Sequence, residues 1–333
     1  MEPTVDAGAS LRLTPEAVER ARDAIRDRLP PTPLRRSFAL RTQPAWLKLE
    51  CWQPTGSFKV RGALHHLRSL PPEVVRRGVV AASAGNHALG VAWAAAAVDG
   101  AVPVTLFVPE SVPAAKLEKL RTFPVTVHVT GANYEDAHDA SLAFADSTGA
   151  YYLHAFNDPR TAAAQGSVGL EILEQLPDVA RIVVPVGGGG LISSIAVAAK
   201  ARAPQVRIVA VQPEASPSLS ASLALGAPLE RYDSAPTLAD GVAGGIGRIA
   251  WEHRDLIDEV VNVPEPALEE AIIAMLTEDQ VVAEGSGALP LAAFRSGLLH
   301  DDGRPAALVV TGGNIDGRHL RRLFATIDGA PRQ

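Results

Sequence analysis

A chain of 333 residues is long enough for about two domains with large cores. Its composition, 47% hydrophobic and 20% charged, is that of a soluble globular protein, and a net charge of -6 with scattered arginines gives nucleic acid no basic face to bind. The most apolar run, residues 88–98, stops at Asp99 and Gly100, short of a membrane span; residues 1–10 show no signal-peptide pattern; and the single cysteine, Cys51, excludes an internal disulfide, which together suit the cytoplasm.

Residues 1–10 read as a disordered tail, and residues 15–28 as a charged amphipathic helix that begins after Thr14 and is ended by Pro30, Pro31 and Pro33. A short strand over 46–49 leads into the most specific turn of the chain. There Pro54 and Gly56 punctuate a turn, Thr55 or Ser57 is placed to cap the helix that follows, and Lys59 stands between Phe58 and Val60 at the helix start. The helix dipole disfavours a cation at that position. A lysine whose charge is discouraged keeps a free amine, and a free amine attacks an aldehyde to form a Schiff base. The ordinary alternative is a surface lysine on an amphipathic helix. Against it, the chain holds only Lys48, Lys59, Lys116, Lys119 and Lys200, and Lys59 alone sits in such a turn.

Beyond the lysine turn, strand-like and helix-like runs alternate. Strands are expected near 79–82, 102–108, 125–129, 181–186, 206–211, 260–263 and 306–310, with helices over 88–98, 114–122, 134–148, 170–175, 191–201 and 266–277. The strands are unbroken apolar runs, the pattern of parallel strands buried on both faces, so the fold class is α/β with helices on each side of the sheet. The rhythm breaks between Tyr151 and Asn157, a candidate domain boundary.

Glycine-bearing loops close several of these strands. Gly187, Gly188, Gly189 and Gly190 follow a strand directly and open a helix at Leu191, where backbone N–H groups and the helix N-terminus attract a phosphate. The alternative is a flexible turn. No Lys-Ser or Lys-Thr follows and the Gly-x-Gly-x-x-Gly spacing is absent, so a monophosphate is favoured over a nucleotide or dinucleotide. Ser83, Ala84, Gly85, Asn86 and His87 end another strand and offer N–H groups, an amide and an imidazole to a carboxylate; ordinary capping by Ser83 or Asn86 is the competing reading. Thr311 to Asn314 and the loop holding Asp240 and Gly241 read, taken alone, as glycine turns, and Glu284 as a complement to a helix dipole. The histidines are dispersed without zinc spacing, and no Gly-x-Ser-x-Gly elbow is present.

A Schiff-base lysine, a monophosphate cradle and an anion-holding loop point to pyridoxal 5'-phosphate and an amino-acid substrate. Over residues 14–323 the chain resembles the fold-type II pyridoxal-phosphate enzymes, in the threonine/serine dehydratase and serine racemase branch, through the stretch from Thr55 to Ala63, Ser83 to His87, Gly187 to Leu191, Ala239 to Val242, Glu284 and Thr311 to Asn314. The resemblance implies two domains, each an open, mostly parallel sheet flanked by helices. The larger, cofactor-binding domain would comprise 1–52 plus 155–328, and 53–154 a small mobile domain with the carboxylate loop, with 329–333 a second disordered tail. Lys59 would hold the cofactor and move the Cα proton, with Phe58 beside the ring and Asn86 on the ring hydroxyl. Gly187, Gly188, Gly189, Gly190 and the Leu191 N–H would hold the phosphate, and Thr311 the ring nitrogen. Gly241 and Glu284 would line the ring, and Ser83, Ala84, Gly85, Asn86 and His87 would clasp the substrate carboxylate. A neutral Thr311 hydroxyl makes the ring a weaker electron sink than a carboxylate would, which suits loss of a β-hydroxyl.

The implied activity is dehydration and deamination of a 3-hydroxy amino acid, threonine or serine by default, to a 2-oxo acid and ammonia, by a homodimer. A bulkier substrate such as phenylserine or a hydroxyectoine-derived amino acid is open. The alternatives are a serine or aspartate racemase, β-replacement as in cysteine synthase, and a cofactor carrier or amino-acid sensor. Racemases of this branch carry a serine where this chain has Ala84, and β-replacement enzymes show Asn-Thr-Gly at the carboxylate loop, so both fit less well. Gln212 and Ser218 stand where cation-binding members have carboxylates, with Glu214 nearby, so no metal is expected. Trp52 reads as a core residue. The C-terminal regulatory domain of biosynthetic threonine dehydratases is not expected.

Overall fold

The computed structural model describes residues 11–112 and 114–328; the two expected tails, 1–10 and 329–333, lie outside them. In chain order the strands are β1 (Leu34–Arg36), β2 (Ala45–Leu49), β3 (Val79–Ala82), β4 (Val104–Val108), β5 (Thr126–Val129), β6 (Tyr151–Tyr152), β7 (Arg181–Pro185), β8 (Arg207–Pro213), β9 (Glu259–Val263) and β10 (Ala306–Val310). They form two sheets, a six-stranded one in the order β1-β2-β10-β7-β8-β9 and a four-stranded one in the order β5-β4-β3-β6. Every pairing is parallel except that of β1 with β2. The expected α/β architecture is therefore the observed one.

Burial explains the unbroken apolar runs. In β10, Ala306, Leu308 and Val310 face one core, built with helices Glu265–Thr277 and Gly285–Arg295, while Ala307 and Val309 face another, built with helix Gly190–Arg202. A strand covered on both faces favours apolar side chains at successive positions. β10 lies between β2 and β7, with Ala306 opposite both Ala45 and Arg181. That insertion brings the end of the last strand beside the lysine turn that follows β2.

Helix Lys59–Ser69 packs Val60 and Leu64 into the core of the smaller sheet, with Val79 and Ala81 of β3 and Ala88 and Val91 of helix Asn86–Ala97. Its first turn is tied to the larger sheet instead: Phe58 N donates to Thr311 O at 3.1 Å, and Ser57 forms an antiparallel bridge with Gly312. Lys59 sits at the seam between the sheets. The expected cap is not made. Phe58 occupies the cap position without a side-chain hydrogen bond, and the buried Thr55 and Ser57 hydroxyls find no partner, because the turn is held by backbone pairing to the Thr311 loop.

The same helix is anchored by charge. Arg61, 1% exposed, donates to both oxygens of Glu50 (2.7 and 2.8 Å), both of Glu171 (2.6 and 2.9 Å) and to Ser167 Oγ (2.9 Å). Lys48 Nζ closes the cluster, 2.6 Å from Glu171 Oε2. Two buried carboxylates thus face two buried cations, the arrangement a desolvated charge needs.

Two strands have no counterpart in the sequence reading, β1 and β6. Both are short edge elements without a fully buried position, so no apolar run marks them. Trp52 corrects the sequence reading: it is 54% exposed and outside the core, because it ends a one-turn 3-10 helix whose other two residues, Glu50 and Cys51, take the buried side.

Candidate active site

The loops after β3, β7 and β10 and the turn beyond β2 converge at the C-terminal ends of their strands, where ligands bind in open α/β sheets. They surround a cleft of about 1160 Å³. Phe58, Lys59, Ser83, Ala84, Gly85, Asn86, His87, Gly187, Gly188, Gly189, Gly190, Leu191, Gly241, Glu284 and Thr311 all line it.

Lys59 is the first residue of its helix, and its Nζ donates to Ala155 O at 3.1 Å, 5.2 Å from the centroid of the Phe58 ring. Burial pulls its pKa down to about 8, against the upward pull of Glu284. The unprotonated amine is therefore a minor form at neutral pH, but far more available than in an ordinary lysine. The nearby imidazoles serve the backbone. His87 Nε2 lies 2.9 Å from Leu153 O and must donate to it, and burial pushes His87 down to about 3. His154 Nδ1 accepts from Phe156 N and Asn157 N at 3.2 and 3.0 Å, and burial lowers it to about 4. Both rings are neutral at pH 7 and brace loops.

At the other wall an amide relay holds a carboxyl. Asn86 Nδ2 donates to Glu284 Oε1 (2.7 Å), Asn314 Nδ2 donates to Asn86 Oδ1 (2.7 Å) and Thr55 O (2.9 Å), and Asn314 N donates to Glu284 Oε2 (3.2 Å). Glu284 stands at the cap of helix Gly285–Arg295, as expected, but it is more than a dipole complement. Burial, reinforced by Asp240, raises it to about 7 despite the Asn86 bond. A carboxyl whose folded pKa lies above its ordinary 4.5 binds more protons folded than unfolded between those values. Stability of the cofactor-free protein therefore falls as pH rises from about 4.5 to about 7 through this group. Glu284→Gln should flatten that slope, as read by urea unfolding across the window; an unchanged slope would assign it to another group.

The glycine loop is shaped by its neighbours. A Cβ on Gly188 would lie 2.3 Å from the Phe156 ring, one on Gly187 2.8 Å from Val242 Cα, and one on Gly190 2.7 Å from Phe156 O. Gly189 has φ +82°, where a side chain is strained. Helix Gly190–Arg202 starts here, and the N–H groups of its first turn have no acceptor within the helix. Thr311, 4% exposed, has an Oγ1 without a partner among the described residues. Gln212, at the doubted cation position, spends its amide on Val186 O, Ser218 Oγ and the N–H groups of Leu219 and Ser220.

The sequence reading assigned no part to Asn314, Ser286, Lys116 or Lys119. Lys116 Nζ donates to Asp240 Oδ2 at 3.0 Å, and Lys119 Nζ to Asn314 Oδ1, so helix Ala114–Arg121 reaches across the cleft from the smaller sheet to the loops of the larger one. The i, i+3 spacing of the lysines puts both on one helix face; nothing local announces their partners.

A lysine amine at the foot of one helix, a phosphate-sized N–H cradle at the start of another and an unsatisfied hydroxyl between them define an enzyme built around pyridoxal phosphate. The chain belongs to the family of pyridoxal-phosphate dependent enzymes, which matches residues 25–312. It is 45% identical to the L-threonine ammonia-lyase of Thermotoga maritima over 281 residues, 84% of this chain and 69% of that one. Its fold superposes on maize serine racemase with a TM-score of 0.85 at 32% identity, covering 95% of this chain and 98% of that one. It superposes on the threonine deaminase of T.th. with a TM-score of 0.82 at 34% identity, covering 91% of this chain and 99% of that one.

The residues present fit the cofactor. The unpartnered Thr311 hydroxyl can donate to a ring nitrogen, and Asn86 Nδ2 carries a second hydrogen beyond the one given to Glu284. The loop that would meet a phosphate is glycine where a Cβ would collide. Gly188→Ala should displace Phe156 and the cradle together and weaken cofactor binding by about five- to 150-fold, the effect of the 1–3 kcal/mol usual for overpacking. Titration of the apoprotein with cofactor, followed by absorbance, checks this.

Proposed function

We propose that this chain is an ammonia-lyase that removes water and then ammonia from a 3-hydroxy amino acid, threonine or serine first, leaving a 2-oxo acid. The observation that supports the reading is a buried amine at Lys59 together with a methyl group, and no hydroxyl, at Ala84. Lys59 offers an amine poised near neutrality, His87 and His154 are neutral and pinned to backbone atoms, and Ala84 presents only a methyl group to the cleft. Racemisation needs a proton-moving group on each face of the substrate; elimination needs one.

In this reading Lys59 Nζ would hold the cofactor covalently and, once displaced by the substrate's amine, would be the free base that takes the α-proton. The N–H groups from Gly187 through Leu191 hold the phosphate, Asn86 the ring hydroxyl and Thr311 the ring nitrogen. Phe58, Gly241 and Glu284 shape the ring slot. The bound group supplies an electron sink that acidifies the substrate's α-carbon. Ser83, Ala84, Gly85, Asn86 and His87, at the start of helix Asn86–Ala97, would clasp the substrate carboxylate, with the helix N-terminus favouring its charge. The part from 53 to 154 would close on the larger part, 1–52 plus 155–328, with the Lys116–Asp240 and Lys119–Asn314 bonds as its clasp.

A homodimer in the cytoplasm belongs to the same reading; sedimentation velocity tests the dimer. No metal takes part, since Gln212 is committed to four hydrogen bonds and offers no carboxylate.

The likeness to maize serine racemase keeps a second reading in view, and one experiment separates them. Purified holoenzyme is given a panel of 3-hydroxy amino acids, including phenylserine and hydroxyectoine-derived ones, and ammonia, the 2-oxo acid and the chirality of residual substrate are measured. Ammonia and 2-oxo acid with no enantiomer formed is the expected result. Enantiomer without ammonia would make the protein a racemase, and cofactor binding without any product would make it a carrier or sensor.

A further inference from the structure

Ser286 has no part in the roles assigned above. It is the second residue of helix Gly285–Arg295, 2% exposed, lines the cleft, and its Oγ has no hydrogen-bond partner. Its neighbours show why a side chain stands at this position. A Cβ on Gly285 would lie 2.1 Å from Leu238 O, and one on Gly287 2.6 Å from Gly312 O. Both flanking residues are pressed against backbone, and the residue between them lines the cleft.

The hydroxyl lies at a definite end of that cleft. A Cβ on Gly241 would be 2.9 Å from Ser286 Oγ and 3.9 Å from Glu284 Oε1, so hydroxyl, carboxyl and Gly241 meet there. Thr311 belongs to the same end: Glu284 N donates to Gly312 O at 3.0 Å, docking this helix start on the residue after Thr311. Ser286 Oγ and Thr311 Oγ1 are buried hydroxyls of the cleft wall without a hydrogen-bond partner among the described residues. Burying such a group is unfavourable unless a ligand completes it.

Resting on the cofactor reading, we infer that Ser286 is a second hydroxyl partner at the ring-nitrogen edge of pyridoxal phosphate, beside Thr311. Each hydroxyl has one hydrogen to give and the ring nitrogen has one lone pair, so the two would share it in a three-centre bond and, neither being acidic, polarise the nitrogen without protonating it. A ring kept unprotonated is a modest electron sink, which favours prompt loss of a β-hydroxyl.

The test loads wild type, S286A and S286C with cofactor labelled with ¹⁵N at the ring nitrogen. The expected result is a nitrogen resonance in S286A moved toward that of a bare pyridine, with cofactor affinity reduced about tenfold, the size of one hydrogen bond. S286C, nearly isosteric with a weaker donor, should fall between, and serves alone if S286A does not fold. A resonance and affinity unchanged in both variants would overturn the inference. So would an unchanged resonance with a raised KM for the amino acid, which would place the hydroxyl on the substrate. Failure of wild type to bind the cofactor would instead defeat the underlying reading.

Discussion

Lys59→Ala should remove turnover and the visible absorbance of the bound cofactor together. The amine has two tasks, covalent attachment and movement of the α-proton, and proton transfer by a positioned group alone is worth about 10²–10⁴ in rate. Loss of both puts the expected fall in kcat at or beyond about a thousandfold. The side chain makes one hydrogen bond, to Ala155 O, and is not part of the Arg61 cluster, so the variant should fold. Steady-state ammonia release and an absorbance spectrum of the same sample check the prediction. Retained turnover would assign the chemistry to another group.

The largest expected effect on stability lies two residues further along. Arg61→Met keeps the apolar bulk of the side chain but leaves Glu50 and Glu171 buried with Lys48 as the remaining cation of the cluster. Breaking a buried pair by removing one partner typically costs about 3–5 kcal/mol. Burial alone would raise the Glu50 carboxyl; Arg61, with Lys48 and Thr32, outweighs it and holds the group below its ordinary value of 4.5. In wild type that stabilisation is present above pH 4.5 and is lost as pH falls through the lowered folded value. The deficit of the variant should therefore be widest near neutrality and shrink on acidification, where its carboxyls take up protons. Urea unfolding at neutral and acidic pH measures both. Helix Lys59–Ser69 is held by this cluster, so the variant should also bind the cofactor less tightly.

What was legible in the sequence was what local physics dictates. β3 and β10 and helix Tyr134–Thr148 occur at the expected bounds, because an unbroken apolar run or a capped amphipathic stretch states its own conformation. The glycine loops were legible because they end strands and begin helices. Contacts between distant parts of the chain were not. Nothing near Asn314 announces Asn86, and nothing near Lys119 announces Asn314. The cap expected at Thr55 or Ser57 gave way to pairing with Gly312, far along the chain, which only the insertion of β10 beside β2 brings near. Trp52 was misjudged for a related reason: an aromatic residue is core by habit, yet the one-turn helix it closes points it outward. Ser286 and Lys116 sit in ordinary-looking stretches, and only burial, or a partner across the cleft, gives them meaning.

The account depends most directly on where the cofactor is attached. Holoenzyme reduced with borohydride, digested and mapped by mass spectrometry should carry a single pyridoxyl group on the peptide containing Lys59, with Lys48, Lys116, Lys119 and Lys200 unmodified. A label on any other lysine, or none after reconstitution with pyridoxal phosphate, would contradict it.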